Sequence, residues 1–255
     1  MNVQSALLIF KGDLPKSSIN FACKALKNCG ILTRCIERDL LTPKAFSEAD
    51  IAIVLGGDGT FLSAARKNIK MPMLCINPNN DKSEGFYARA NLNEISKTAA
   101  LLAEGKFKIL KLLRASAKIG RRELPPALNE VFVGSEKSYR PFRYYLRIGR
   151  NKEFQLSSGV IVSTPSGSHA WASSAGGLEL PITSTRLQYI VREPYFGRLF
   201  KPKMLRGFSN KVIIIPQLNL YKSVVVLDGM AEFTIKNEMQ LEISKSKFPL
   251  KFVTF

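Results

Sequence analysis

The sequence predicts an α/β N-terminal domain followed by a β-rich C-terminal domain. Three observations predict it. Short apolar runs alternate with helix-like stretches over the first ninety residues. From Phe107 onward, runs with period-two alternation take over. In the first half, "IVLGGDGTFLSAAR" (53–66) ends an apolar run with three glycines around one aspartate and opens at once into a helical pattern.

The elements follow in order. "SALLIF" (5–10) reads as the first strand, a helix covers about 16–28, and "ILTRCIE" (31–37) is the second strand. "ADIAIVLG" (49–56), a helix from about Gly59 to Lys67 and "MPMLCIN" (71–77) come next. Apolar strands joined by helices imply a mostly parallel, Rossmann-like sheet with helices on its faces. Ligands of such sheets sit at the carboxyl ends of the strands, where the glycine turn falls. A helix near 92–104 ("LNEISKTAALLAE") closes this part. Then come "KILKLLRASAKIG", "ALNEVFVG", "YYLRIG", "FQLSSGVIVST", "KVIIIP", "SVVVLDG", "EFTIKN", "QLEISKS" and "KFVTF", with one helix after "TPSGS". The expected domains are 1–100 and 101–255.

Composition limits the function classes. With 255 residues, 45% of them hydrophobic, the chain buries a substantial core. No apolar stretch approaches the roughly 20 residues of a membrane span. "MNVQSALLIFKGD" lacks the charged start and long apolar segment of a signal peptide. Cys23, Cys29, Cys35 and Cys75 form no C-x-x-C pair, and the single histidine, His169, lies far from them. That disfavours zinc and a disulfide framework, and points to reduced thiols in a cytoplasmic protein. The net charge of +18 attracts phosphorylated small molecules, nucleic acid and anionic membranes alike. Between Arg186 and Lys211 lie seven basic residues and one acid, Glu193. That segment is either a solvated surface loop or one that gathers around a polyanion.

In "GGDGT", Gly56, Gly57 and Gly59 free the backbone for φ > 0 and for close approach to a ligand. The following helix offers unsatisfied N–H groups and the positive end of its dipole, which suits phosphates. Asp58 sits in reach of whatever those phosphates are aimed at, and Thr60 is a cap or a hydroxyl donor. The structural alternative is a plain strand-to-helix turn with Asp58 as N-cap. Neither G-x-G-x-x-G nor the P-loop pattern is present.

"GGDGT" after a buried strand resembles the phosphate-binding turn shared by NAD kinases, diacylglycerol kinases and phosphofructokinases. The continuation "GGDGTFLSAAR" is similar to the NAD kinases, and the Asn-Glu-Val-x-Asn pattern of the lipid kinases is absent. "ALNEVFVG" (127–134), "STPSGSHAWASSAGG" (163–177), "VVVLDG" (224–229) and "SEGFYA" (83–88) resemble further NAD kinase elements, in the family's order and at about its spacing. The resemblance covers nearly the whole chain. "SSG" before the Thr-Pro element, "GSHAW" within it and "VREPYFGRLF" are similar to the mitochondrial-type branch.

The resemblance implies the NAD kinase/diacylglycerol kinase-like fold, with Met239 to Phe255 returning to cover the first domain. It implies transfer of the γ-phosphoryl group of ATP to the 2′-hydroxyl of the adenosine ribose of NAD, with Mg2+ neutralising phosphate charge. Asp58 is the catalytic carboxylate, or a magnesium ligand, and Gly56, Gly57, Gly59 and Thr60 hold phosphates. Asn129 and Glu130 take the dinucleotide ribose, since an amide beside an acceptor-only carboxylate grips a vicinal diol. Thr164, Ser166, His169, Ala170 and Ser174 line the dinucleotide pocket, Ser166 and Ser168 also being candidate caps. His169 is expected to make a hydrogen bond or a stack, with no acid–base role. Trp171 is pocket wall or core. The resemblance also implies a homodimer or homotetramer, and inorganic polyphosphate is a second donor in some members.

Two departures stand out. Ser158 and Gly159 occupy the place of an Asp-Gly whose carboxylate binds the nicotinamide end. A neutral hydroxyl there relaxes the preference for cationic NAD over NADH. "INPNNDKSEGFYA" alters the usual compact loop, adding Asp81, Lys82 and Glu84, before Gly85 and Phe86, the latter a further dinucleotide contact, recover the match. Two other readings stand beside the kinase. One is a lipid or sugar kinase sharing the turn. The other is a nucleic-acid-binding protein on this fold, motivated by charge and disfavoured by the intact Asp58 and Glu130.

Overall fold

The computed structural model describes residues 2–78, 85–198 and 201–255. The chain divides into two compact units, Met1–Lys111 with Leu250–Phe255, and Leu112–Pro249. The first contains β1 (Ser5–Phe10), α1 (Lys16–Asn28), β2 (Leu32–Glu37), β3 (Ile51–Leu55) and α2 (Asp58–Lys67). It continues with β4 (Met73–Asn77), β5 (Ala88–Asn91), α3 (Ile95–Ala103) and β6 (Lys108–Leu112). The second contains β7 (Ala115–Ile119), β8 (Arg122–Glu123), β9 (Glu130–Ser135), β10 (Phe142–Ile148), β11 (Asn151–Ser157) and β12 (Gly159–Ser163). Then come α4 (Trp171–Ser174), β13 (Gln188–Arg192), β14 (Arg206–Phe208), β15 (Lys211–Pro216), β16 (Ser223–Leu227), β17 (Ala231–Ile235) and β18 (Leu241–Lys245). β19 (Leu250–Thr254) belongs to the first unit's sheet.

That sheet runs β2-β1-β3-β4-β19-β6, with β5 beside β4. β1 pairs in parallel with β2 and β3, and β4 in parallel with β3, β5 and β19. Every residue of β3 and β4 is buried, as central parallel strands require. α1 buries Ala22, Ala25 and Leu26, one apolar stripe on an otherwise polar helix. The strand order reverses between β1 and β3, so the turn after β3 lies at a topological switch point. The first unit extends to Lys111 rather than 100 because β6 completes this sheet. The returning segment starts at Leu250 rather than Met239 because β18 pairs with β15 and β7 of the second unit.

The second unit holds two six-stranded sheets, β11-β10-β15-β18-β7-β8 and β14-β13-β12-β9-β16-β17. Val131, Val133, Val160 and Val162 of one meet Tyr144, Leu146, Val212 and Ile214 of the other in a single core. On the outer face of β9 and β12, Phe132 and Ile161 pack with Ala172 and Trp171 of α4. β9 and β12 are thus covered on both faces, which explains their unbroken apolar runs. Among the described residues no helix is long and apolar enough to cross a membrane.

Candidate active site

The first unit carries the glycine turn. α2 begins at Asp58, with Gly57 as its N-cap in an extended conformation, φ −82°. Asp58 is therefore the first residue of the helix and not its cap. The amides of Thr60 and Phe61 both donate to the Gly57 carbonyl, leaving the earlier amides at the positive end of the helix dipole. The turn's glycines do not adopt positive φ, contrary to the reading from sequence. What Gly56 supplies is close approach, since a Cβ there would lie 2.8 Å from the Thr60 side chain. Thr60 is itself buried in the third helical position, packed against that glycine rather than capping the helix.

The Asp58 carboxylate has a second task that sequence reasoning missed. Its two oxygens accept the amides of Phe86 at 3.1 Å and Tyr87 at 3.0 Å. Phe86 is thereby anchored beside Asp58, and Tyr87 stacks on Phe61 of α2 with ring centroids 4.7 Å apart. Phe252 of β19 meets both rings edge-on, and the Arg89 guanidinium lies 4.6 Å from its centroid. Burial, reinforced by the Asp58 charge, raises the Cys75 thiol far above its ordinary range. Asp81, Lys82 and Glu84 lie outside the described residues.

The second unit gathers the Asn-Glu, Thr-Pro and Asp-Gly elements. Asp228, at φ +51° after β16, is the organising residue. Its carboxylate accepts the amides of Leu128 at 3.0 Å, Asn129 at 2.7 Å and Glu130 at 3.2 Å. The Thr164 hydroxyl donates to the Leu128 carbonyl at 2.5 Å, and the Thr164 amide to the Asn129 carbonyl at 2.8 Å. Gly167 sits so close that a Cβ there would lie 2.1 Å from the Asn129 oxygen. Among the described residues, Glu130 Oε2 and Ser166 Oγ of this cluster are buried without a hydrogen-bond partner, as is Arg66 Nη1 of α2. Such orphans are rare in folded proteins and each calls for an explanation. Burial, with the Asp228 charge second, pushes the Glu130 carboxyl up to about 8. Burial also lowers Arg114 to about 10 against the opposing pull of Asp228, and its Nε donates to the Phe248 carbonyl at 2.7 Å. "VVVLDG" was the available signal for Asp228, since a strand that ends in Asp-Gly announces a tight turn.

The remaining predicted residues are placed as follows. Asn129 is buried beside Glu130. The Ser168 hydroxyl donates to the Pro165 carbonyl at 2.6 Å and accepts the Leu180 amide at 2.9 Å, so it is a turn brace. His169 donates its Nε2–H to the Leu180 carbonyl at 2.8 Å, with Nδ1 3.6 Å from the Glu179 carboxylate. Ala170 precedes α4 in an irregular conformation and Ser174 ends that helix, exposed. Trp171 packs on Phe132 at 4.9 Å, beneath the Arg192 guanidinium. Ser158 does not stand as an isolated hydroxyl, because its side chain hydrogen-bonds the Glu193 carboxylate and helps lower that group's pKa. Glu193 also pairs with Arg192 at 2.9 Å. Among the described residues of 186–211, Arg186 lies over the Phe208 ring, Arg192 pairs with Glu193, Arg206 donates to the Gly176 carbonyl, Lys211 pairs with Glu242, and the Lys203 charge helps hold down the Glu153 carboxyl. Leu199 and Phe200 of "VREPYFGRLF" lie outside the described residues.

Residues 13–107 match the ATP-NAD kinase N-terminal domain, and residues 129–255 match the ATP-NAD kinase C-terminal domain. This chain belongs to the NAD kinase family. The NAD kinase of Thermoplasma volcanium is 34% identical over 209 residues, 81% of this chain and 74% of that protein. The NAD kinase of Azotobacter vinelandii is 34% identical over 215 residues, 80% of this chain and 70% of that one. These relatives are archaeal and bacterial and give no support to the mitochondrial-type branch. An NAD kinase from Archaeoglobus fulgidus, solved in complex with ATP, superimposes with TM-score 0.80 at 22% identity, over 97% of this chain and 92% of that one. Yeast NADH kinase, solved with NADH, gives TM-score 0.82 at 15% identity, over 100% of this chain and 84% of that one. The fold is that of the NAD kinases.

Proposed function

We propose that this chain is an NAD kinase, moving the γ-phosphoryl group of ATP to the 2′-hydroxyl of the adenosine ribose of NAD. Family membership supports the activity. Within this chain the observation that supports it is that Glu130 Oε2, an acceptor, and Ser166 Oγ, a hydroxyl, are each buried without a hydrogen-bond partner among the described residues. Asn129 and Glu130 hold ribose hydroxyls, and Thr164, Ser166, His169, Ala170, Ser174 and Phe86 bound the dinucleotide. Asp58 orients the acceptor hydroxyl and accepts its proton. Gly56, Gly57, Gly59 and Thr60 shape the turn whose helix-end amides take phosphate oxygens.

Magnesium fits this donor set. As the alternative to its role as base, Asp58 would hold the ion: Mg2+ needs only one or two protein carboxylates when phosphates supply the rest, and each Asp58 oxygen keeps a lone pair beyond its amide bond. Held there, the ion would supply neutralisation of charge on the transferring phosphates.

The acceptor range extends to NADH. Ser158 is neutral, and the nearby Glu193 carboxylate is already balanced by Arg192 at 2.9 Å. A preference for NAD over NADH above about a hundredfold in kcat/KM refutes this. Arg198, Lys201 and Lys203 serve the donor, ATP or polyphosphate, and the protein works in the cytoplasm as a homodimer or homotetramer. Nucleic acid is not its partner. The test is NADP and NADPH formation with ATP and magnesium, beside Asp58→Asn. No product with either acceptor, even with polyphosphate, overturns the proposal. Diacylglycerol and fructose 6-phosphate serve as acceptors for the lipid- and sugar-kinase alternative.

A further inference from the structure

We propose that Cys23 and Cys35 are a redox-modification site that closes into a reversible disulfide between α1 and β2. Cys23 sits on the shoulder of the buried stripe of α1, next to Ala22, and is half-buried. Cys35 lies in the middle of β2, the edge strand of the first sheet, and is exposed. The two sulfurs are 3.0 Å apart. A disulfide bond is about 2.05 Å long, so closure asks for roughly 1 Å of approach. β2 is held on one side only, by β1, and has the freedom of an edge to supply it. Burial of its sulfur and the neighbouring Cys23 push the Cys35 thiol up to about 12, which leaves the first attack to Cys23 and makes Cys35 the cysteine that closes the bridge.

The other two cysteines are placed to stay reduced. Cys75 is buried in β4, with its thiol directed at the Gly56 carbonyl at 3.4 Å. Cys29 caps the C-terminus of α1 and packs against the core of the first unit. Among the described residues, only the Cys23–Cys35 pair combines sulfur contact, which sets the geometry of closure, with access to solvent, which admits the oxidant.

The oxidant is a low-molecular-weight disulfide. One cysteine, as thiolate, attacks a sulfur of that disulfide, forming a mixed disulfide and expelling one small thiolate. The second cysteine loses its proton and attacks the first sulfur, expelling the other small thiolate. Two protein thiols are thereby oxidised, the small disulfide is reduced to two thiols, and the protons pass to those leaving groups. A dithiol reductant runs the sequence backward. The bridge joins residues 12 apart and removes freedom from the unfolded chain, so the oxidised protein melts several degrees higher.

The full chain is equilibrated with oxidised glutathione, and its thiols are then blocked, counted and mapped by peptide mass. The expected result is loss of two of the four thiols and a mass lower by about 2 Da. It includes a single cross-linked peptide pair holding Cys23 and Cys35, restoration by dithiothreitol and a raised melting temperature. Cys29→Ser behaves like the wild type, and Cys35→Ser gives no internal cross-link. Four thiols remaining at full oxidation, a bridge through Cys29, or glutathione adducts without a bridge each overturn the proposal. Mapping of the wild type decides the matter even where a variant fails to fold.

Discussion

Replacing Glu130 with glutamine makes the most informative perturbation of the dinucleotide cluster. Burial raises the Glu130 carboxyl from 4.5 to about 8, with the Asp228 charge as a second cause. The unfolded chain releases this proton near its ordinary value, while the folded protein keeps it until about pH 8. Over that interval folding takes up a proton, so this group's stabilisation is complete below 4.5 and is lost as pH rises through 8. At ~1.4 kcal/mol per tenfold, the interval amounts to roughly 5 kcal/mol. Glutamine has the same shape and no proton to lose. Glu130→Gln therefore matches the wild type near pH 4.5 and becomes more stable than it as pH rises. The gap in melting temperature reaches about 10 °C or more above pH 8. Thermal melts of both proteins without nucleotide, from pH 5 to 9, read the difference directly. A gap that stays flat across that range refutes the argument, because it means Glu130 ionises in the folded protein as it does in the unfolded one. If Glu130 holds ribose hydroxyls as proposed, the same variant is expected to lose NADP formation above pH 8, where the wild-type carboxylate accepts at both oxygens and the amide at only one.

Asp58→Asn should abolish phosphoryl transfer and also loosen the Gly-Phe-Tyr segment, since an amide cannot accept both the Phe86 and Tyr87 N–H groups; ~2 kcal/mol of stability goes with it, seen as a melt lowered by several degrees. Persisting turnover in that variant removes Asp58 from catalysis. Asp228→Asn should cost about 3 kcal/mol by unpairing at least one of three amides. It should also move the pH midpoint of the Glu130 effect downward, which the same melts report. Gly167→Ala drives a Cβ into the Asn129 carbonyl and is expected to cost about 3 kcal/mol and most of the affinity for NAD, measured by calorimetry. Lys201→Glu with Lys203→Glu should raise the KM for the phosphoryl donor at low salt, and an unchanged KM reduces the segment to plain surface.

The first unit was largely legible because parallel strands and amphipathic helices write their period into local sequence. β3, the glycine turn and α2 follow one another with nothing else needed to place them. The Asn-Glu and Thr-Pro elements were legible as motifs, but their electrostatics were not. Glu130 becomes an unpaired, neutral-leaning acid only because β9 pairs with β12 and Asp228 takes up the backbone amides around it from about a hundred residues away. No local pattern encodes a contact of that range. The Ser158 position likewise read as a neutral hydroxyl, and only the left-handed turn at Glu193 brings a carboxylate to it. Of the two reasons given for the turn's glycines, positive φ does not hold, and the absence of a Cβ matters at Gly56 through its tight contact with Thr60.

One feature of the first sheet bears on how the protein is made. β19 stands between β4 and β6, yet it is translated after the whole of the second unit. When residues 1–111 have left the ribosome, their sheet still has a gap one strand wide, and Phe61 and Tyr87 lack the Phe252 ring that meets them. The second unit is synthesised and can fold while that slot stands open. The glycine turn and the Asp58 anchor are thus finished by the last strand to emerge, which ties completion of the first unit to synthesis of the whole of the second in a single chain.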